Sequence, residues 1–433
     1  MKLQEEKIKS KKAKIAVIGL GYVGLPTAVE LSKAGYRTFG IDVNKEKVED
    51  VNNGKSYISD ITSDELKKVT ENQTLQAFEN FEKLSSSDVV LICVPTPLDK
   101  NKIPDVSYIK STSKEIAKRL HKGQLIVLES STYPGTTREV ILPILEETGL
   151  KVGKDFFLAF CPERIDPGNE KFKFIDIPRV AGGITESCTK LASEIYKGFI
   201  QAEVVSVSSP EVAEMTKILE NTYRLINISM INELSLLCGK MGIDIWEVIE
   251  AAKTKPYGFT AFYPSPKIGG HCIPLDPFYL SWKAKEYNFW LRFIELAGEI
   301  NEQMPHYVVT NVISLLNKQQ KSVKGSKILI WGVAYKKDIE DARESAAYNV
   351  LSDLLKKGAD VKYFDPCVMD FKVGANILKS IEYKSEKLKE YDLVLILTDH
   401  SGFDYDEIAK KSNLVVDTRN AIKSRQHKNV SWF

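Results

Sequence analysis

"KIAVIGLGYVGLPTAVELSKAGYRTFGIDVN", residues 14–44, decides how the first half of this chain folds. Residues 14–19 are a short apolar run of β type ending in glycine. Gly19, Gly21 and Gly24 then fall in G-x-G-x-x-G spacing, "LPTAVELSKAGY" reads as a helix closed by Gly35, and "RTFGIDVN" reads as a second strand ending at Asp42. That is the whole βαβ unit in which the glycine spacing carries meaning. The glycines permit a tight turn, close approach to a pyrophosphate and close helix packing. The helix N-terminus offers N–H groups and a positive dipole to phosphate. Asp42, 18 residues past Gly24, is placed to accept ribose hydroxyls and to repel a 2′-phosphate, which favours NAD over NADP.

Further strands are predicted in "DVVLICVPTP" (88–97), "QLIVLESSTYPGTT" (124–137), "FFLAFCPERIDPG" (156–168) and "PRVAGG" (178–183), with helices between them. This is the pattern of a doubly wound α/β domain. The strand ends carry polar residues, Thr96, Thr132, Glu163 and Arg164, on the edge where such sheets bind ligands. From 209 the pattern becomes a long helix, "SPEVAEMTKILENTYRLINISMINELSLLCGKMG", in which Lys217 and Asn221 lie one turn apart on one face. On spacing alone Lys217 reads as a solvated surface lysine.

From 327 a second α/β pattern begins, "KILIWGVAYKKDIEDARESAAYNVLSDLLKKGADVKYFDP", followed by strands in 391–400 and 413–420. Its glycine fingerprint is degraded, and basic residues, Lys336, Lys337, Arg343 and Arg419, lie near its strand ends, which suits a phosphorylated ligand. The expected fold is therefore α/β, with two Rossmann-like doubly wound domains joined by a long central helix. The domains are placed at 13–207, 208–308 and 309–433, after a charged, solvated tail at 1–12.

Across 433 residues, 60 Lys and Arg nearly balance 58 Asp and Glu, so no global basic field argues for nucleic acid. No apolar run is long enough to span a membrane, and the N-terminus lacks the apolar region of a signal peptide. The six cysteines are widely spaced, without C-x-x-C and apart from the five histidines, which argues against a disulfide framework or a zinc site. A reduced, cytoplasmic protein with no metal is expected. Against that background "SPKIGGHCIPLDP" (265–277) stands out, because only Cys272 combines a glycine loop, turn-forming prolines and a nearby acid, Asp276. Cys93, Cys161 and Cys238 read as buried fillers.

The motifs "GLGYVGLP", "VPTP", "ESSTYPGTT", "CPER", "EMTKILENTYR", "GGHCIPLDP" and "YKKDIEDARES", in that order, resemble the UDP-glucose/GDP-mannose dehydrogenase family over residues 14–420. "STYPGTT" and "PERIDPGN" are most similar to the branch acting on UDP-N-acetylhexosamines, particularly UDP-N-acetylglucosamine. The resemblance implies a four-electron oxidation of the sugar's C6 alcohol to a carboxylate with NAD, through a thiohemiacetal and a thioester on Cys272. Sulfur suits that role, being nucleophilic and leaving an acyl group that hydrolyses.

By the same resemblance Lys217 and Asn221 stabilise the oxyanion, and Asp276 positions the water with Lys217. Glu163 is a candidate base and Thr132 holds a catalytic water. Tyr22, Val23, Pro95 and Thr96 join the glycines and Asp42 around NAD. Arg164, Gly269, Lys337 and Arg419 join Glu163, Lys217 and Asn221 on the UDP-sugar. Where UDP-glucose enzymes carry a second glutamate this chain has Pro167, and His271 is weighed as an extra base. A homodimer built on the spine helix and a role in surface-polysaccharide biosynthesis are implied, with UDP-N-acetylmannosamine or UDP-glucose as alternative substrates.

Two other readings compete. A two-electron hydroxyacid-type dehydrogenase needs neither residues 265–277 nor 327–420. A non-enzymatic NAD sensor leaves Lys217, Asn221, Cys272 and Asp276 without a purpose.

Overall fold

The computed structural model describes residues 1–432 except Ser59, Lys100, Pro167, Gly168, Glu170 and His271. Two compact units divide it, Met1–Glu220 with Trp282–Phe289, and Asn221–Ser281 with Trp290–Phe433. The helix Pro210–Met241, 32 residues long, runs unbroken through the boundary and joins the N-terminal and C-terminal domains as expected.

In the first unit one sheet holds β1 (Lys14–Ile18), β2 (Arg37–Ile41), β3 (Leu75–Phe78), β4 (Val89–Ile92), β5 (Leu125–Leu128), β6 (Phe157–Phe160), β7 (Arg179–Gly183) and β8 (Val204–Val207). Their spatial order is β3-β2-β1-β4-β5-β6-β7-β8, and β6–β7 is the antiparallel pair. Strands β4, β5 and β6 are apolar and buried at every residue, as they must be where helices cover both faces. The order reverses between β1 and β4, which makes the C-terminal ends of those strands the ligand crevice. Ile18 pairs with Ile41 and Ile92, Ile92 with Leu128, and Leu128 with Phe160. Gly19, Asp42, Cys93, Glu129 and Cys161 therefore leave the sheet together along one edge.

Residues 1–12 are not the solvated tail expected from their charge. Lys2–Lys9 is a helix, Ile8 on it is 0% exposed, and Gln4 donates its amide to Asp88 O at 2.8 Å. Burying one isoleucine of this kind is worth about 1.5–3 kcal/mol, enough to hold a short charged helix in place.

The second unit carries a five-stranded, all-parallel sheet. Its strands are β9 (Lys327–Trp331), β10 (Asp360–Phe364), β13 (Leu393–Ile396), β14 (Val415–Asp417) and β15 (Val430–Trp432), in the order β10-β9-β13-β14-β15. A hairpin of β11 (Asp370–Val373) and β12 (Asn376–Lys379) stands apart. Ser345 caps the helix Ala346–Lys356 by accepting the Ala347 N–H, which sets where the loop after β9 ends.

Candidate active site

The glycine turn is built as its spacing implied. Gly19 sits at φ +93°, and a Cβ there would lie 2.5 Å from Cys93 O. A Cβ on Gly24 would lie 1.8 Å from Gly19 O, so helix and turn touch only because neither has a side chain. Gly21 differs: a Cβ there would meet nothing within 4 Å, so the turn opens outward at that residue. Asp42 closes the crevice, its Oδ2 accepting Leu20 N–H at 2.8 Å and its Oδ1 accepting Asn44 N–H at 2.9 Å. An open glycine turn at a helix N-terminus, with a carboxylate held beside it, fits a dinucleotide. Tyr22 and Pro95 are exposed on this edge, Val23 is half-buried, and Thr96 is buried with its hydroxyl on Ser131 O at 2.6 Å.

Thr132 is buried and its Oγ1 lies 2.6 Å from Thr136 Oγ1. Thr136 donates its own proton to Tyr133 O at 2.8 Å, so Thr132 is the donor in their shared bond. Its lone pairs remain available to accept from a water. Glu214, which the sequence reading passed over, pins this loop from the long helix. Its carboxylate accepts Gly135 N–H at 2.6 Å, Thr137 N–H at 2.9 Å and the Thr137 hydroxyl at 2.7 Å. Burial pushes the Glu214 carboxyl up to about 7 against those bonds.

Lys217 is 8% exposed, not solvated, and its Nζ donates to Glu163 O at 2.5 Å. The Glu163 carboxylate accepts from Arg179 and from the N–H groups of Arg164 and Ile165. Both its oxygens are engaged, so it takes a proton only by releasing a donor. Arg164 pairs with Glu220 rather than standing open.

The second unit assembles its own group. Cys272 is exposed, and the Asp276 N–H donates to Cys272 O at 2.8 Å, folding "CIPLD" into one tight turn. Asp276 opens the helix Asp276–Ala284 and is 0% exposed, and Asn221 donates its amide to Asp276 Oδ2 at 2.6 Å. Gly269 and Gly270 permit a close approach, but here it is to Tyr335, 2.6 Å from a Cβ on Gly269 and 2.9 Å from one on Gly270. Two of the other cysteines show the contrast, since burial pushes the Cys93 and Cys161 thiols well up. His271 and Pro167 lie outside the described residues.

In the second sheet Asp365 stands where Asp42 stands in the first, just past the strand beside the glycine turn. Its Oδ2 accepts Val333 N–H at 2.7 Å and Ala334 N–H at 2.9 Å, the amides of the turn after β9. His400 fixes the arrangement, with Nδ1 accepting Asp338 N–H at 3.0 Å and Nε2 therefore donating to Asp365 at 3.0 Å. Asp365, Cys367 and His400 come within metal-ligand distance of one another. Because the lone pairs of Asp365 and His400 are already used, a cation would have to displace this network. Lys337 is exposed on the loop that His400 anchors, and Arg419 is bonded through Nε to Asp399 Oδ1 at 3.0 Å.

Residues 13–200 match the NAD binding domain of the UDP-glucose/GDP-mannose dehydrogenase family, 211–303 its central domain, and 329–424 its UDP binding domain. The chain belongs to this family. Among relatives of this dehydrogenase, the UDP-N-acetyl-D-mannosamine dehydrogenase of Methanococcus maripaludis (strain C7) is 36% identical over 434 residues, 97% of this chain and 95% of the relative. The UDP-N-acetyl-D-glucosamine 6-dehydrogenase of Pseudomonas aeruginosa is 37% identical over 360 residues, 83% of this chain and 84% of the relative. The solved UDP-N-acetyl-D-mannosamine dehydrogenase of Pyrococcus horikoshii superposes with a TM-score of 0.87 at 32% identity, covering 97% and 98% of the two chains. The dehydrogenase is an NAD-dependent oxidoreductase of nucleotide sugars, with a UDP-binding C-terminal domain. No helix among the described residues is long and apolar enough to cross a membrane.

Proposed function

We propose that this dehydrogenase oxidises the C6 hydroxymethyl of a UDP-N-acetylhexosamine, UDP-N-acetylglucosamine first among them, to the uronic acid. The observation that carries the chemistry is an exposed Cys272 whose own turn presents the buried Asp276–Asn221 pair. NAD, held by the glycine turn and Asp42, would supply the hydride acceptor for each of the two oxidations.

The chain's residues do the rest. Lys217, a buried cation, balances negative charge on the C6 oxygen as the alcohol loses its proton, and departure of the first hydride from C6 leaves the aldehyde. The Cys272 thiolate adds to the aldehyde carbon, forming a C–S bond and an alkoxide that is protonated to the thiohemiacetal. Loss of the second hydride leaves the thioester. Water then adds to the acyl carbon, giving up one proton to a base, the C–S bond breaks, and the thiolate is released with the carboxylic acid. Asp276, oriented by Asn221, positions that water, and Thr132 holds a water by accepting its proton. Glu163 serves the same hydrolysis once it gives up a donor. Lys337 and Arg419 bind the diphosphate, and Gly269 lies along the sugar.

"STYPGTT" and "PERIDPGN" favour the glucosamine sugar. The mannosamine sugar is the second reading, supported by the Methanococcus and Pyrococcus relatives that span nearly the whole chain. A homodimer is supported by Tyr223, Met230, Leu234 and Leu237, large apolar residues left exposed on the long helix. A biosynthetic role in the cytoplasm, supplying uronic acids for surface polysaccharide, follows from the same reading.

Parallel assays with UDP-N-acetylglucosamine, UDP-N-acetylmannosamine and UDP-glucose, counting NADH per sugar consumed, test this. Two NADH per UDP-N-acetylglucosamine supports both chemistry and substrate. Two NADH from another sugar corrects the substrate alone, and one NADH removes Cys272 as acyl carrier.

A further inference from the structure

Arg179 opens β7, is 2% exposed, and donates through Nη1 to Glu163 Oε2. The other oxygen, Oε1, accepts Arg164 N–H at 2.8 Å and Ile165 N–H at 2.7 Å. The carboxylate of a residue only 5% exposed is therefore hooked back onto its own loop and locked to a buried cation. The backbone carbonyl of the same residue accepts Lys217 Nζ at 2.5 Å. Glu163 is thus gripped by Arg179 at its side chain and grips Lys217 with its main chain.

The guanidinium also lies in the fields of Glu129 and Cys161, but its side-chain hydrogen bond goes to Glu163. Among the described residues its Nε and Nη2 meet no hydrogen-bond acceptor, and its guanidinium lies over the Phe174 ring at 4.5 Å. A second arm steadies the same loop. Arg164 donates through Nη1 to Pro178 O at 3.0 Å and through Nε to Glu220 at 3.1 Å, three residues beyond Lys217.

We propose that Arg179 is a positioning residue for Lys217, acting through Glu163. The proposal rests on Lys217 being the cation that meets the C6 oxygen. A lysine side chain is long and flexible, so its ammonium is preorganised only if the acceptor that holds it is itself immobile. Here that acceptor is a loop carbonyl, fixed because the next group on the same residue is tied into an ion pair in the core.

The test uses the full chain, with Arg179→Lys, Glu163→Gln, their double variant and Lys217→Met. NADH formation gives kcat and both KM values, and thermal melting reports the fold. Arg179→Lys keeps the charge, but its shorter side chain does not bring an ammonium to where Nη1 meets Glu163, so kcat is expected to fall on the order of 10- to 100-fold, the cost of a roughly 1 Å misplacement. The KM for NAD⁺ is expected to stay within about two-fold, because the glycine turn is untouched. Adding Arg179→Lys to Glu163→Gln is expected to lower kcat no further, since both act on one element.

Unchanged kcat in Arg179→Lys, multiplicative losses in the double variant, or a matching rise in the NAD⁺ KM would each overturn the proposal. If Arg179→Lys does not fold, Glu163→Gln decides through the single-turnover rate of the first NADH, a step its role in hydrolysis does not touch: a slowed first NADH supports the link, and an unchanged one sinks it. Lys217→Met separates the two levels. If it leaves turnover intact, the reading of Lys217 falls and takes the proposal with it. If it abolishes turnover while Arg179→Lys does not reduce it, only the proposal falls.

Discussion

Asn221 holds Asp276 at 2.6 Å, amide to carboxylate, with the carboxylate 0% exposed at the first residue of its helix. A buried carboxylate needs donors, and this one accepts from Asn221, one helical turn past Lys217, while its own backbone N–H donates back to Cys272 O. Replacing Asn221 by Ala is expected to cost about 1–3 kcal/mol of stability, the penalty for stripping a donor from a buried acceptor. Thermal melting measures it, and an unchanged melting temperature would show that the bond does not contribute.

Asp276→Asn tests chemistry instead. The amide keeps the size of the side chain but loses its charge, so water is no longer held for attack. kcat is expected to fall about 100-fold or more, with the acyl-enzyme accumulating. Mass spectrometry of the quenched enzyme should find the sugar mass on Cys272, and its absence would move Asp276 out of the hydrolysis step.

Cys272→Ala removes the proposed acyl carrier while leaving the dinucleotide crevice in the other unit intact. NADH yield is expected to drop from two per sugar to at most one, with an aldehyde that a hydrazine traps. Dissociation of NADH, followed by fluorescence, should be unchanged.

Asp42 has Lys47 Nζ 3.9 Å from its Oδ2, so the crevice already contains a cation that a 2′-phosphate could meet. Asp42→Ala is expected to weaken NAD⁺ about 10-fold, the worth of a charge-assisted bond to ribose, and to make NADP⁺ usable. Steady-state rates with both dinucleotides decide it; an Asp42→Ala enzyme still blind to NADP⁺ would mean another group excludes the phosphate.

Glu214 links stability to pH. Its folded carboxyl is raised to about 7 from an ordinary 4.5, with burial as the main cause and the bonds to Gly135 and Thr137 opposing it. A raised folded value means that the stabilising contribution is fully present below the unfolded value and is lost as pH rises through the folded one. Relative to Glu214→Gln, the wild-type chain should therefore lose stability between about pH 4.5 and about pH 7, on the order of 3 kcal/mol across that window. Urea midpoints of the two proteins at several pH values measure the difference, and parallel curves would remove Glu214 as the titrating group.

The glycine turn, Asp42 and the cysteine loop were legible because each depends on local backbone geometry that few residues other than glycine, proline and an acid supply. Short strands such as β3, β8 and β15 were not legible. All three are edge strands, without the fully buried apolar run that marks the equally short β4, β5 and β6, and too short to show an alternation. The N-terminal helix escaped for a related reason. Its charges describe the face turned to water, while Ile8 and Gln4, which hold it, are single residues among lysines and glutamates.

The sequence by itself determined that this is a family of nucleotide-sugar dehydrogenases, that NAD is the cofactor and that Cys272 is the unusual thiol, since each rests on residues close together in the chain. Only the tertiary structure decided what Lys217, Glu163 and Glu214 touch. Lys217 reads as a surface lysine until Glu163 O is found 2.5 Å from its ammonium. Glu163 reads as an open base until Arg179, from the next strand, is found on its carboxylate. Glu214 has no motif at all, yet it holds the loop bearing Thr132 from 77 and 79 residues away. Hydrogen bonds and ion pairs between distant residues leave no spacing in the sequence; they exist only once the sheet and the long helix have placed their donors and acceptors within reach.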